Sequence, residues 1–310
     1  MRNRRMALWA VLLAMLAAGT AGAQSGQGRV VVTVLARHSD QASSSANQQD
    51  LSVKVDGKDA RITKWERYKI PNDNLEVVLL IDDSAISSLG NQFGEIKQFI
   101  RSLPPNAKAA IAYMKYGRAV FSGELTADHD QVLRGFHVPQ GTPGSSASPY
   151  FCLSDLARHW PSTDSQARRE VVMVTDGVDY YEMRYDPEDP YVHAAISDSV
   201  RANLVVYSIY WMNQGIASQT LYANYAGQNL LSEVTEATGG KSYWIGMGNP
   251  VSFSPYFSDI VRRFDSQYEL RFDGASGSKP KVETLDLKLK VPGATVDAPQ
   301  KVLVTPANPA

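Results

Sequence analysis

Cysteine is nearly absent: Cys152 stands alone in 310 residues. An oxidising compartment would find no internal pair to join, so stability must come from a buried core. The setting of that thiol, Tyr150-Phe-Cys-Leu, points to a small buried apolar side chain rather than a nucleophile. Beyond the first two dozen residues no apolar run is long enough to cross a bilayer as a helix. Runs of like charge are missing too, with 31 Lys and Arg against 32 Asp and Glu, which removes the electrostatic footprint of a nucleic-acid binder. No Gly-x-Ser-x-Gly turn occurs to seat a hydrolase nucleophile. Gly240-Lys-Ser ends like a phosphate loop, yet Thr235 stands where its first glycine belongs, and the glycine pair follows a helical pattern instead of a strand. The histidines, His38, His129, His137, His159 and His193, are scattered and never fall at i, i+4, so zinc is unsupported. There is no internal repeat.

What is present begins with Arg2, Arg4 and Arg5, then an apolar run from Met6 to Ala18, then Ala21-Gly-Ala ahead of Gln24. Basic, apolar and small-residue regions in that order predict a secretory signal peptide over 1–23, cleaved after Ala23. No cysteine follows the run to take a lipid. Losing three arginines moves the formal charge from −1 to −4, and the chain is then expected to be exported, to periplasm or outside the cell, with no stable membrane span.

Arg29–Leu35 is a β-branched strand, Leu51–Gly57 alternates before an Asp56-Gly57 turn, and Arg61–Trp65 is another short strand; Ser39–Asp50 between them reads as a flexible loop. The pattern predicts an N-terminal β unit over 24–70. From Asn74 strands alternate with helices. Val77–Ile81 and Val171–Thr175 are continuous apolar runs, while Phe93, Ile96, Phe99, Ile100 and Leu103 share one helix face before Pro104-Pro105. Further strands are expected at Ala109–Tyr113, Ala119–Phe121, Leu204–Tyr210 and Ser242–Ile245. Helices are expected near Asp130–Phe136, Tyr150–Trp160, Val192–Ala202, Leu221–Thr238 and Pro255–Phe264. Buried-type strands separated by helices predict an α/β fold over 71–266: a doubly wound, mostly parallel sheet with helices on both faces. Gln267–Phe272, Leu285–Val291 and Val302–Val304 then predict a C-terminal β extension over 267–310, a hairpin or meander.

Ligands of an open parallel sheet sit beyond the carboxyl ends of its strands. Asp82 follows Val77–Ile81 and Asp176 follows Val171–Thr175. Ser84 and Ser87 come after the first, Gly177 after the second, and a loop bearing Thr142, Ser145, Ser146 and Ser148 lies between them in sequence. Carboxylates with hydroxyls are the donors of a hard divalent cation such as Mg²⁺, with Mn²⁺ or Ca²⁺ as alternatives, and few anionic ligands would leave such an ion a position for an outside carboxylate. The same residue types also cap helices and form turns.

Ile81-Asp-Asp-Ser-Ala-Ile-Ser with Val174-Thr-Asp-Gly resembles the metal-ion-dependent adhesion site (MIDAS) of von Willebrand factor A (VWA) domains, over about Asn74–Ser266. The flanks Asp50-Leu-Ser-Val-Lys-Val-Asp-Gly-Lys, Ala237-Thr-Gly-Gly-Lys and Gln267-Tyr-Glu-Leu-Arg-Phe resemble exported VWFA-related proteins of the acidobacterial type. The resemblance implies a Rossmann-like fold and a metal set of Asp82, Ser84 and Asp176. The family's last first-loop serine falls on Ile86, with Ser87 one residue late. Its second-loop threonine is matched by Thr142 in chemistry and by Ser148 in spacing.

Asp179-Tyr-Tyr-Glu-Met-Arg-Tyr-Asp-Pro-Glu-Asp-Pro-Tyr191 is acidic and tyrosine-rich, and tyrosine gives large contact area at small entropy cost. Tyr180, Tyr181 and Tyr185 are therefore candidate partner-binding residues; a solvated surface loop has the same composition. Carboxylates there could also take Ca²⁺, although no EF-hand spacing is present. The expected function is an exported, non-enzymatic module that binds a protein through an acidic side chain with Mg²⁺ assistance. The alternatives are a metal-independent docking subunit of an envelope assembly and, behind it, a hydrolase on the same sheet.

Overall fold

The computed structural model describes residues 24–37, 46–69, 74–182, 188–214, 220–246 and 248–307. The leader expected over 1–23 and the first part of the Ser39–Asp50 loop lie outside them. Four strands come first: β1 (Gln24–Ala36), β2 (Leu51–Val55), β3 (Lys58–Asp59) and β4 (Arg61–Arg67). Asp56 and Gly57, at φ 46° and 74°, turn β2 into β3, the positive-φ pair that a tight hairpin demands.

The alternating part runs β5 (Leu75–Asp82), α1 (Phe93–Ser102), β6 (Lys108–Lys115), β7 (Arg118–Phe121), α2 (His129–Arg134), α3 (Pro149–Arg158), β8 (Arg168–Thr175), α4 (Pro190–Arg201), β9 (Leu204–Tyr210), α5 (Leu221–Thr238), β10 (Ser242–Tyr243) and α6 (Ser254–Phe264). Its six strands are ordered β10-β9-β8-β5-β6-β7, parallel except for β7 at one edge. All eight residues of β5 are buried because both faces are covered. Leu75, Val77, Leu79 and Ile81 enter one core with Ile96 and Phe99 of α1, Val132 of α2 and Phe257 and Ile260 of α6. Val78 and Leu80 enter the other with Leu153 and Leu156 of α3, Val192 and Ile196 of α4 and Leu230 and Val234 of α5. Ser148, Asp189 and Thr220 cap α3, α4 and α5, each side chain accepting from a first-turn N–H. Among the described residues no helix is long and apolar enough to cross a membrane.

The last strands are β11 (Gln267–Ser276), β12 (Lys281–Leu289), β13 (Ala294–Asp297) and β14 (Lys301–Pro306). Here the expectation of one mostly parallel sheet with small β flanks needs correction. The two flanks make a single eight-stranded antiparallel sheet, ordered β3-β2-β12-β14-β1-β11-β4 with β13 also on β1. The C-terminal strands are no self-contained meander either: β11 pairs β1 on one side and β4 on the other. Alternation along a strand reports which face is buried and says nothing of the partner. Val30, Val32, Val34, Leu270, Phe272, Val302 and Val304 form this sheet's own core. Val31, on the opposite face of β1, joins the core of the parallel sheet.

Buried arginine chemistry fixes the junction. Arg168, wholly buried at the start of β8, donates to the Phe264 carbonyl at 2.6 Å and to the Gln267 side chain, with its guanidinium 4.9 Å from the Tyr68 ring centre. Arg29 on β1 donates to Glu269 at 2.7 Å and to the Ser165 and Gln166 carbonyls, both at 2.8 Å. A planar fork serves such multiple acceptors better than an ammonium.

Candidate functional site

Parallel pairing of β5 with β8 sets Ile81 against Val174, so both strands end at the same edge and deliver Asp82 beside Thr175 and Asp176. One Asp82 oxygen accepts the Ser84 N–H at 2.9 Å and the other accepts the Thr175 hydroxyl at 3.0 Å. Asp176 Oδ1 accepts the Val178 N–H at 3.0 Å, and its Oδ2 accepts the Tyr180 phenol at 3.2 Å. The third contribution is the loop ahead of α3. Ser84 Oγ lies 3.2 Å from Ser145 Oγ and 3.5 Å from Ser146 Oγ, and it accepts the Ser146 N–H at 3.2 Å. Asp82, Ser84, Ser146 and Asp176 are all buried.

Two glycines make this approach possible. A Cβ on Gly141 would stand 2.2 Å from Ser145 Oγ and 2.9 Å from the Asp83 carbonyl. Gly177, at φ 70°, passes so close to α5 that a Cβ would lie 2.5 Å from the Gly227 carbonyl. The β6–β7 turn holds the serine loop from outside, Tyr116 and Gly117 N–H donating to the Ser145 and Ser146 carbonyls at 2.7 and 2.9 Å.

Burial, which disfavours the charged form, raises the Asp82 carboxyl despite its hydrogen bonds to Ser84 and Thr175. Asp176 is pushed up to about 8, by burial first and by repulsion from Asp82 second. Asp83 next door faces away from this pair: it accepts the Gln140 N–H at 3.1 Å and pairs with Lys115 at 3.4 Å. Burial also drives the Cys152 thiol far above its ordinary value, and its sulfur sits 3.6 Å from the Ser146 carbonyl, a core thiol without nucleophilic character.

Of the residues singled out in the sequence, the structure gathers Asp82, Ser84 and Asp176. It does not bring Ser87 to them. After Ser84 the backbone is tied to the β9 loop, Ile86 N–H donating to the Met212 carbonyl at 3.1 Å and Gln214 N–H to the Ser84 carbonyl at 3.0 Å. Ile86 packs on the core, and Ser87, itself exposed, opens a 3₁₀ turn, Ser87–Gln92. Thr142 is exposed as well, its carbonyl closing a turn with the Ser145 N–H. Ser148 is buried but serves as the α3 cap, accepting the Tyr150 N–H at 3.2 Å, with its hydroxyl beside Asp179. Ser145 and Ser146 occupy the place expected of Thr142 or Ser148.

Tyr180 belongs to the site itself, its ring against Gly144 of the serine loop and its hydroxyl on Asp176. Tyr181 is 65% exposed. Tyr185 lies outside the described residues. Tyr180, expected to contact a partner, instead supports Asp176, and Thr175, which the sequence reading leaves out of the site, had the position to suggest it as the last residue of a strand parallel to β5.

Among the described residues no three His, Cys, Asp or Glu side chains stand together as a metal cluster. An ion at this edge would therefore depend on hydroxyls. Two carboxylates with Ser84, Ser145 and Ser146 are all hard oxygen donors, and in chemistry the set fits Mg²⁺.

No protein-family model and no curated protein matches the chain. Among solved structures, an aerotolerance-related membrane protein from Bacteroides fragilis overlays 62% of this chain and 99% of its own, at a TM-score of 0.43 and 15% identity. The pilus adhesin SpaC from Lactobacillus rhamnosus GG covers 83% of this chain and 48% of its own, at 0.42 and 10%. The VWA domain of SpRpn10 covers 61% and 94%, at 0.35 and 13%. Likenesses of this size concern the layout of strands and helices, and no chemistry passes across them.

Proposed function

We propose that the chain is an exported protein-binding module of the VWA type that acts through the carboxyl edge of its parallel sheet. The observation that carries this reading is the side-by-side placement of two buried carboxylates, Asp82 and Asp176, against the hydroxyls of Ser84, Ser145 and Ser146. In this reading Asp82, Asp176, Ser84 and Ser146 hold Mg²⁺. The ion supplies an electrophilic position that an acidic side chain of a partner protein fills. Thr175 orients Asp82 by its hydrogen bond, Tyr180 orients Asp176, and the rigid strand ends keep the two carboxylates in register. The exposed Tyr181 offers contact area beside that position. In this reading the module is exported, to the periplasm or outside the cell, which the basic, apolar and small-residue order over 1–23 supports, and the site is assigned to binding rather than to an enzymatic step.

Calorimetric titration of Mg²⁺ into wild type, Asp82→Ala and Asp176→Ala tests this reading. Heat with wild type that disappears in both variants is expected; equal or absent heats in all three overturn it. A second reading, a docking surface that needs no metal, is favoured by Ile86 in the first loop and by the internal donors already on both carboxylates. It keeps partner capture from an envelope extract unchanged in EDTA.

A further inference from the structure

Asp179 and Asp189 repeat one arrangement at the two ends of the tyrosine-rich stretch. Asp179 Oδ1 accepts the Tyr181 and Glu182 N–H groups at 2.8 and 3.2 Å. Asp189 Oδ1 accepts the Tyr191 and Val192 N–H groups at 2.7 and 3.3 Å. Tyr181 and Tyr191, each two residues on, meet edge to face with ring centres 5.3 Å apart, and both lie against Phe151 of α3 at 5.4 and 4.8 Å. The ends of the stretch are thus brought together on the first turn of α3, where Ser148 stands beside Asp179.

Both carboxylates are almost fully buried, at 2% and 1% exposure, and in each the second oxygen, Oδ2, has no hydrogen-bond partner. Buried polar atoms are nearly always satisfied, and an exception points to a group that belongs there. Two such oxygens, on carboxylates close enough for the Asp189 charge to act on Asp179, form with the Ser148 hydroxyl beside Asp179 an oxygen-donor set suited to a hard cation. We propose that Asp179 Oδ2, Asp189 Oδ2 and the Ser148 hydroxyl hold a Ca²⁺ ion that clamps the two ends of the tyrosine-rich stretch together.

Calcium fits better than magnesium on physical grounds. Ca²⁺ accepts six to eight oxygens in irregular geometry, whereas Mg²⁺ demands a near-ideal octahedron and gives up its water reluctantly. Oxygens that arrive from separate ends of a loop suit that irregular geometry and not an octahedron, with water supplying the remaining positions of the Ca²⁺ shell. The charges sense each other: burial and the Asp189 charge both raise the Asp179 carboxyl, which a cation between them would reverse. This site shares no ligand with the Asp82–Asp176 edge and stands whether or not that edge binds metal.

The test uses the full exported chain, titrated with CaCl₂ and followed by calorimetry and thermal melting. The probe variants are Asp179→Asn and Asp189→Asn, in which the amide oxygen still accepts the backbone N–H groups while the second anionic oxygen is gone. Asp176→Asn reports on the other edge. Wild type and Asp176→Asn should bind Ca²⁺ with Kd of about 10⁻⁴–10⁻³ M, the range of extracellular modules. At millimolar Ca²⁺, Tm should rise by roughly 2–4 °C. Each loop variant should weaken binding at least tenfold and lose that rise. Equal Ca²⁺ responses in wild type and loop variants overturn the proposal. So does a response abolished by Asp176→Asn alone, which would assign the ion to the strand-end site. A Ca²⁺-insensitive chain that loses stability with rising pH, an effect removed by Asp179→Asn, overturns it in favour of a proton shared between the two oxygens.

Discussion

Replacing Asp176 by Asn removes one ionisable group from the buried pair while leaving an oxygen to accept the Val178 N–H. The Asp176 carboxyl is held at about 8 in the fold, against about 3.9 for a free one. The folded chain therefore binds this proton more tightly than the unfolded chain. The stability it contributes is complete below about pH 4 and is lost as pH rises toward 8. At about 1.36 kcal/mol per unit, the pair loses roughly 4 kcal/mol between pH 5 and pH 8. Urea denaturation in EDTA at pH 5, 6, 7 and 8 measures this. The wild-type midpoint should fall across the series relative to that of Asp176→Asn, and the variant should be the more stable chain at pH 8. Asp179 and Glu233, whose carboxyls burial also raises, add a slope common to both chains, so the difference between them is the quantity to read. Adding Mg²⁺ should flatten the wild-type slope by compensating the charge. Parallel pH curves for the two chains would refute the claim that the Asp82–Asp176 pair is strained by burial.

Gly141→Ala should cost roughly 1–3 kcal/mol, since the new Cβ meets the Asp83 carbonyl at 2.9 Å where no rotamer change relieves it. Its Mg²⁺ heat should fall together with the urea midpoint as the serine loop moves off Ser84; an unchanged midpoint contradicts this. Arg168→Ala, which strands the Phe264 carbonyl and the Gln267 amide at the junction of the two sheets, should cost roughly 2–5 kcal/mol. A two-step denaturation curve for that variant would show the sheets uncoupled.

The alternating part of the fold was legible because its strands are buried on both faces and its helices carry one apolar stripe. Leu204–Tyr210 and Leu221–Thr238 fall where periodicity put them. Strand β10 ends at Tyr243 rather than Ile245, since Trp244 and Ile245 turn out to solvent. Lys58-Asp59 of β3 carries no apolar residue, and β13 offers only Ala294 and Val296. The site was half legible. Asp82 and Asp176 are announced by the apolar runs that precede them, and Ser84 by its place in the Asx turn after Asp82. The choice among Thr142, Ser145, Ser146 and Ser148 depends on how one loop folds over Gly141, and the exit of Ser87 depends on hydrogen bonds to Met212 and Gln214, more than 120 residues away. Neither has a local signature.

The antiparallel sheet has a kinetic consequence. Its two longest strands, β1 and β11, are joined by contacts such as Arg29 to Glu269, 240 residues apart in sequence. Closing so long a loop in a disordered chain is slow, and folding rates fall as contacts become less local. The intervening α/β part shortens the search once formed, because it sets its own two ends side by side, Tyr68 N–H donating to the Gln267 carbonyl at 3.0 Å. Assembly is then expected to run from the inside outward, with the helical layers completed first and the long strands pairing last. A lesion deep in β5 would then show itself as failure of a sheet with which it shares no strand pairing.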